Sequence, residues 1–164
     1  MNNKGSAMPG AGTQVTGSDA HLPPFLPAEG AGGIRQSLTL PGHAEQVPRA
    51  RAFIATALAA RGLCDEVACL LGSELATNAV RHSDSRLPGG TVTVTVTVTE
   101  ARGEILVAVT DDGGPAWPVI REGQDPCAED GRGLVLVAQL STRWGYHRGE
   151  GRLTTWFQLP AEPA

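Results

Sequence analysis

Glu74 and Asn78 stand one helical turn apart within residues 65–82, a segment whose apolar residues recur every three or four positions and predict a helix. At about 100° per residue, both polar side chains project into the apolar stripe of that helix, where burial without partners costs on the order of several kcal/mol. The amide oxygen of Asn78 suits Mg²⁺, and Glu74 could orient or deprotonate a hydroxyl or water. The alternative is a core pair satisfied by the backbone. The stripe consists of Val67, Leu70, Leu71 and Leu75.

The segment VTDDGGP (109–115) is an apolar strand that ends in Asp111 and then breaks at Gly113-Gly114-Pro115. Glycines permit positive φ and a close approach of a ligand to the backbone. A carboxylate at a strand end can accept a hydrogen bond from an exocyclic amine. Taken alone, the same pattern also fits an ordinary turn.

A second glycine pair, Gly131 and Gly133, directly precedes a predicted helix. Free amides at a helix N-terminus favour a phosphate. Leu136 stands where a dinucleotide-binding fold would have its third glycine, and no Gly-Lys-Ser/Thr follows, so neither a Rossmann nor a Walker A loop is indicated. Between the glycines, Arg132 fits a phosphate contact and a solvated side chain about equally well.

The elements that must position these residues follow from periodicity and turn signals. TVTVTVTVT (91–99) predicts a strand with a valine face that packs on helices and an exposed threonine face that could support dimerisation. Helices on one side and antiparallel hairpins on the other predict an α+β two-layer sandwich. The predicted strands are 34–40, 91–99, 104–110, 143–148 and 153–159, and the predicted helices are 48–61, 65–82 and 133–141.

Composition bounds the rest of the organisation. Residues 1–33 are rich in Gly, Pro, Ala, Ser and Thr without a period, which predicts a disordered arm, with partner binding as the alternative. One domain is expected over 34–160, followed by a tail at 161–164. A mild net charge of −4 without a basic stripe argues against nucleic acid or anionic membrane as the partner. No signal peptide or membrane-spanning run is recognisable, and the three cysteines form no framework, so a cytoplasmic location is expected.

In order, the chain carries Glu-x-x-x-Asn on a helix, Asp-x-Gly after a strand, and Gly-x-Gly-Leu opening a helix. Over about residues 35–160 it resembles the GHKL (histidine-kinase-like) ATPase superfamily, and more narrowly the compact anti-sigma-factor serine/threonine kinases. The resemblance implies the Bergerat ATP-binding fold, with a mixed, mostly antiparallel sheet and helices on one face. The segments that carry it are SELATNAVRHS (73–83), VTDDGGP (109–115), GRGLVLVAQLSTRWG (131–145) and LTTWFQLP (153–160).

The resemblance also implies roles. Glu74 would be the general base, Asn78 would hold Mg²⁺ against the phosphates, and Asp111 would recognise the adenine amine. Residues 116–130 would form the ATP lid, although Pro115 stands where the family often has a second glycine. Thr154, rather than Thr155, is the better match to the threonine that joins the adenine network. The remaining ATP-binding positions are Gly113, Gly131, Arg132, Gly133 and Leu134.

Two functions follow as hypotheses. In the first, the protein is a kinase that transfers the γ-phosphate of Mg-ATP to a serine of a STAS-type anti-anti-sigma partner. In the second, it binds ATP but sequesters a sigma factor or another regulator without significant kinase activity.

Overall fold

The computed structural model describes residues 33–118 and 132–161, together with the backbone of 13–17. The strands are β1 (Thr13–Gly17), β2 (Gly33–Pro41), β3 (Thr91–Thr99), β4 (Glu104–Asp111), β5 (Arg143–Gly149) and β6 (Arg152–Pro160). The helices are α1 (Val47–Ala59), α2 (Glu66–His82) and α3 (Arg132–Leu140). Short 3₁₀ turns occupy Ala44–Gln46, Asp84–Arg86 and Glu100–Arg102. None of the described helices is long and apolar enough to cross a membrane.

The strands form one six-stranded sheet in the order β1-β5-β6-β4-β3-β2. The pairs from β5 through β2 are antiparallel, and β1 joins the edge parallel to β5. The predicted two-layer sandwich with a mixed, mostly antiparallel sheet is therefore confirmed. The composition did not predict β1, since residues 13–17 lie within the segment expected to be disordered.

One face of the sheet packs against the helices and forms the main core. The valines of β3 are buried on this face, as their alternation predicts, and they meet side chains such as Ile54, Leu71 and Leu75. The opposite face, which we call the outer face, carries the threonines of β3. The prediction that these threonines are exposed is wrong at the centre of the strand, since Thr95 and Thr97 are only 6% and 1% exposed. Alternation fixes the side of the sheet a residue takes, but not whether that side is covered.

Helix α2 begins where its capping signal predicts, because the carboxylate of Asp65 accepts a hydrogen bond of 2.8 Å from the Ala68 amide. Its buried face is rotated from the predicted stripe, and Val67 is 36% exposed. Small residues let this face approach its neighbours closely: an ideal Cβ on Gly72 would lie 2.2 Å from Cδ1 of Ile54. The buried small residues are Ala68, Gly72, Ala76 and Ala79.

The chain leaving α2 is fixed by Ser85, which is fully buried. Its hydroxyl donates a hydrogen bond of 2.6 Å to the carbonyl of Thr91 and accepts one of 2.9 Å from the Asp112 amide. Gly42 and Gly90 pack directly on the Ser85 backbone, where an ideal Cβ would lie 1.9 Å and 2.2 Å from its carbonyl oxygen. The turn after α2 is thereby tied to the start of β3 and the end of β4.

Gly90→Ala should lower the free energy of unfolding by about 2–3 kcal/mol, because the new methyl group must displace buried backbone. The neighbouring Gly89→Ala is the matched control. Gly89 has φ +81° but open space around its Cβ position, so its cost should stay near 1 kcal/mol. Urea denaturation of both variants measures the difference, and equal losses would contradict the close packing on Ser85.

Candidate functional site

Asp111 ends β4 with its carboxylate buried at 4% exposure. It pairs with Val92 across the sheet and so lies on the helix side, beyond the last core valine of its strand. Burial raises the pKa of Asp111 to about 6, although the Gly113 amide and the positive charge of Arg148 oppose that rise. Oδ1 accepts a hydrogen bond of 2.7 Å from the Gly113 amide, and no other described residue donates to this carboxylate. The strand end therefore presents a buried acceptor that is only partly satisfied.

The turn after Asp111 requires glycine. Gly113 has φ +72°, and an ideal Cβ there would lie 2.2 Å from the carbonyl oxygen of Gly151. Its own carbonyl accepts a hydrogen bond of 2.8 Å from the Asp84 amide. The turn therefore passes between the β5–β6 hairpin and the chain that leaves α2, and there is no room for a side chain.

Asp112 stabilises the same strand end from the side. Its carboxylate accepts a hydrogen bond of 2.6 Å from the Thr91 amide and forms an ion pair of 3.2 Å with Arg152. Because the charge of Asp112 is taken up by these partners, the two adjacent aspartates have different environments, and within 33–118 and 132–161 only Asp111 keeps an oxygen without a donor.

Glu74 and Asn78 are both half-buried on α2 and face the beginning of α3. An ideal Cβ on Gly133 would lie 2.8 Å from Oε2 of Glu74 and 3.3 Å from Nδ2 of Asn78. The structure thus brings the carboxylate and the amide, which are one helical turn apart, together with Gly133, which lies more than 50 residues further along the chain. Asn78 lies one turn before the end of α2 at His82, and the chain that leaves this end bonds the Gly113 turn through the Asp84 amide.

The other residues predicted to bind ATP in the second glycine loop lie in different environments. Arg132 is exposed at the start of α3. The side chain of Leu134 is 7% exposed and belongs to the main core, so its side chain holds α3 on the sheet. Gly131 lies outside the described residues, as does the predicted lid apart from residues 116–118.

The strand register does not bring Thr154 to the Asp111 side. Thr154 pairs with Thr110, and their hydroxyls lie 2.8 Å apart on the outer face. Thr155 pairs with the core residue Val109 and is 9% exposed on the face that carries Asp111. The choice of Thr154 over Thr155 is therefore corrected: side chains alternate between the faces of a strand, and a shift of one residue changes the face.

Sequence reasoning missed Arg148, which fixes the first residues after the Gly113 turn. Its guanidinium donates hydrogen bonds to the carbonyls of Gly114 (2.5 Å) and Ala116 (2.6 Å). The same group stacks 4.2 Å from the centre of the Trp117 ring, which contacts Tyr146 edge-on. A lone arginine on a predicted strand carries no signal in the sequence, because its partners are backbone carbonyls 32–34 residues away.

No group of three or more His, Cys, Asp or Glu side chains that could hold a metal exists in the described part of the chain. Glu74 and Asn78 offer two oxygen-bearing side chains beside Gly133, which places no side chain of its own between them and the helix start. This donor set fits Mg²⁺, which keeps several non-protein ligands and is commonly shared with phosphates.

Comparison with known proteins shows which protein family this chain belongs to. Residues 40–159 match the histidine kinase-like ATPase domain family, so the chain belongs to this family, and the resemblance to GHKL ATPases is confirmed. Among solved structures, it is similar to the crystal structure of the RsbU and RsbW domains of Rv1364c from Mycobacterium tuberculosis, at 18% identity and a TM-score of 0.50. That match covers 80% of this chain and 34% of the other, and it shows a shared fold. No curated protein matches.

Asp111→Asn should stabilise the nucleotide-free protein at neutral pH. A carboxyl whose pKa is raised from 3.8 to about 6 contributes stability at low pH that is lost as the pH rises through 6. Asparagine keeps an acceptor for the Gly113 amide without the buried charge. The gain in unfolding free energy should grow from near zero at acidic pH to about 1–3 kcal/mol above pH 6.

Urea denaturation at several pH values tests this expectation. Asp112→Asn serves as the control, since the partners of Asp112 require its charge, and that substitution should destabilise the protein at neutral pH. A pH-independent effect of Asp111→Asn would contradict the buried, ionised carboxylate.

Proposed function

We propose that this protein binds Mg-ATP between the end of β4 and the junction of α2 and α3. The unused acceptor capacity of Asp111 suits the exocyclic amine of adenine, and the Gly113 turn permits the base to approach the backbone. At the other end, Asn78 would hold Mg²⁺. The α3 N-terminus, with Gly131, Arg132 and Gly133, would favour the phosphate charge. Thr155 replaces Thr154 as the proposed partner of Asp111.

The observation that carries the proposal is the contact of Gly133 with both Glu74 and Asn78. A glycine at that position leaves the carboxylate and the amide facing a helix start instead of a side chain. Both side chains are half-buried, so they remain accessible to a ligand that approaches the start of α3. Membership of the histidine kinase-like ATPase family supports ATP as that ligand.

The proposed reaction is phosphoryl transfer to a serine of a STAS-type anti-anti-sigma partner. Support for this narrower function comes from the resemblance to anti-sigma-factor kinases and from the fold shared with a chain that contains an RsbW domain. Glu74 would accept the proton of the attacking serine hydroxyl. Mg²⁺ supplies charge neutralisation at the phosphates, and the protein contributes mainly position and electrostatics.

Glu74→Gln should retain ATP binding and lose phosphoryl transfer by about 10²–10⁴-fold, because the amide cannot take the proton. Glu66→Gln is the matched control, since Glu66 is exposed in the first turn of the same helix. The measurement combines calorimetry of Mg-ATP binding with labelled-phosphate transfer to candidate STAS proteins. Phosphoryl transfer that persists in Glu74→Gln would show that Glu74 is not the general base. If the wild type transfers phosphate to none of the candidates, the kinase assignment is overturned.

Gly133→Ala should reduce transfer by about 10-fold or more while the protein stays folded, because the methyl group pushes Glu74 from its position by a few tenths of an ångström or more. Circular dichroism and thermal melting provide the check on folding. An unchanged transfer rate in a folded variant would contradict the close packing of α3 on the carboxylate.

The sequestering function remains the second candidate in this test. It predicts Mg-ATP binding and a stable complex with a sigma factor that Glu74→Ala leaves unchanged. Asp111→Asn tests the nucleotide site separately from the kinase reaction. Loss of ATP binding in this variant would support the nucleotide site whether or not any phosphoryl transfer is detected.

A further inference from the structure

The turn after Asp111 needs outside contacts to keep one conformation. Gly113 and Gly114 have φ of +72° and +124°. Glycine restricts its own backbone less than any other residue, so two in succession leave the turn free to adopt many shapes. In the proposed nucleotide site, the base lies against this turn beside Asp111. Recognition of the base therefore depends on whatever holds the turn in place.

Arg148 supplies several of the contacts that hold it. Its guanidinium donates hydrogen bonds to the carbonyls of Gly114 and Ala116, and it stacks on the ring of Trp117. Three of the four residues that follow Gly113 are fixed in this way. A planar guanidinium presents its donors in a rigid fork and stacks flat on an aromatic ring, whereas a lysine ammonium is a point charge. The shape of the arginine is therefore as important here as its charge.

The strand register places Arg148 on the face that carries Asp111. Arg148 pairs with Leu153, and Leu153 pairs with Asp111, so the three side chains form one row across β5, β6 and β4. The Cα atoms at the ends of this row are two strand spacings apart, about 9–10 Å. Burial raises the pKa of Asp111, and the charge of Arg148 partly opposes that rise. The arginine is therefore near enough to act on the carboxylate electrostatically.

Tyr146 extends the same group along β5. It lies two residues before Arg148, on the same face, and pairs with Thr155, the proposed partner of Asp111. The half-exposed ring of Trp117 contacts Tyr146 edge-on, with ring centroids 6.0 Å apart. We call these three side chains (Trp117, Tyr146 and Arg148) the β5 wall, since they face Asp111 across the width of β6.

The β5 wall also contains an unused donor. The Nε–H group of Arg148 is buried and has no acceptor among the described residues. Buried donors are rarely left unpaired in folded proteins, because the missing hydrogen bond costs free energy. This donor therefore marks the wall as a place where a polar ligand can bind.

Building on the nucleotide site proposed above, we propose that the β5 wall bounds the adenine pocket on the side opposite Asp111. Arg148 is its positioning residue, and it holds the Gly113 turn in the conformation that receives the base. The contacts of Arg148 described above are with the turn and not with Glu74. Its loss should therefore weaken nucleotide binding more than it slows the chemical step.

Fluorescence of the nucleotide-free protein tests the positioning. Arg148→Lys keeps a positive charge but loses the fork and the flat stack, so acrylamide quenching of Trp117 should rise about 1.5-fold or more. The difference between each protein and its Trp117→Phe counterpart isolates this ring, and the other two tryptophans are buried at 1% and 2% exposure. Arg35→Lys, at an exposed arginine of the edge strand β2, is the matched control and should change nothing. Unchanged quenching in Arg148→Lys would overturn the proposal.

Calorimetry tests the consequence for the site. Arg148→Lys should weaken Mg-ATP binding about 10-fold, because the released turn must then be ordered when the nucleotide binds. Phosphoryl transfer at saturating ATP should change less than about twofold. Trp117→Ala removes a half-exposed ring and should weaken binding about threefold or more. Thermal melting checks that each variant is folded.

The outcomes separate this proposal from the one on which it rests. Wild-type affinity for Mg-ATP in Arg148→Lys or in Trp117→Ala, or a loss confined to the transfer rate, would overturn the role of the β5 wall alone. If the wild type itself binds no Mg-ATP, the proposed nucleotide site is overturned and the wall with it.

Discussion

The backbone of Gly133 lies so close to Glu74 and Asn78 that no side chain fits between the two helices, and the arrangement of the site depends on this contact. It requires α3 to sit firmly on the sheet, which Leu134 and Val137 provide from the core. It also requires α2 to be fixed along its axis. The Asp65 cap at one end and the bond from Asp84 to the Gly113 turn at the other provide this.

The second constraint is electrostatic. Asp111 is buried at the end of an apolar strand, and this burial raises its pKa and costs stability in the nucleotide-free state. Among the described residues, only the Gly113 amide donates a hydrogen bond to its carboxylate. Its neighbour Asp112 is satisfied by Thr91 and Arg152. A site that recognises a polar ligand contains a buried polar group for the ligand to bond. A ligand without the matching donor leaves that group unpaired and therefore binds more weakly.

The two faces of the sheet serve different purposes. The helix side carries the core and, at its end, the candidate nucleotide site. The outer face is also buried at Trp156, Leu106 and Ala108, although the described helices lie elsewhere. A sheet whose second face is apolar needs a cover, since an exposed apolar patch promotes association.

The sequence by itself determined the elements and most of the candidate site. Periodicity and capping are local, so α2, β3 and the strand ending at Asp111 were predictable within a residue or two. The motifs predicted that Glu74 and Asn78 share a site with the second glycine loop, and the structure places Gly133 against both side chains. Only the tertiary structure decided that Thr155 shares the face of Asp111, that Arg148 fixes the following turn, that Val67 is exposed and that Thr97 is buried. Each of these depends on strand register or on a contact between distant segments, and no local pattern encodes either.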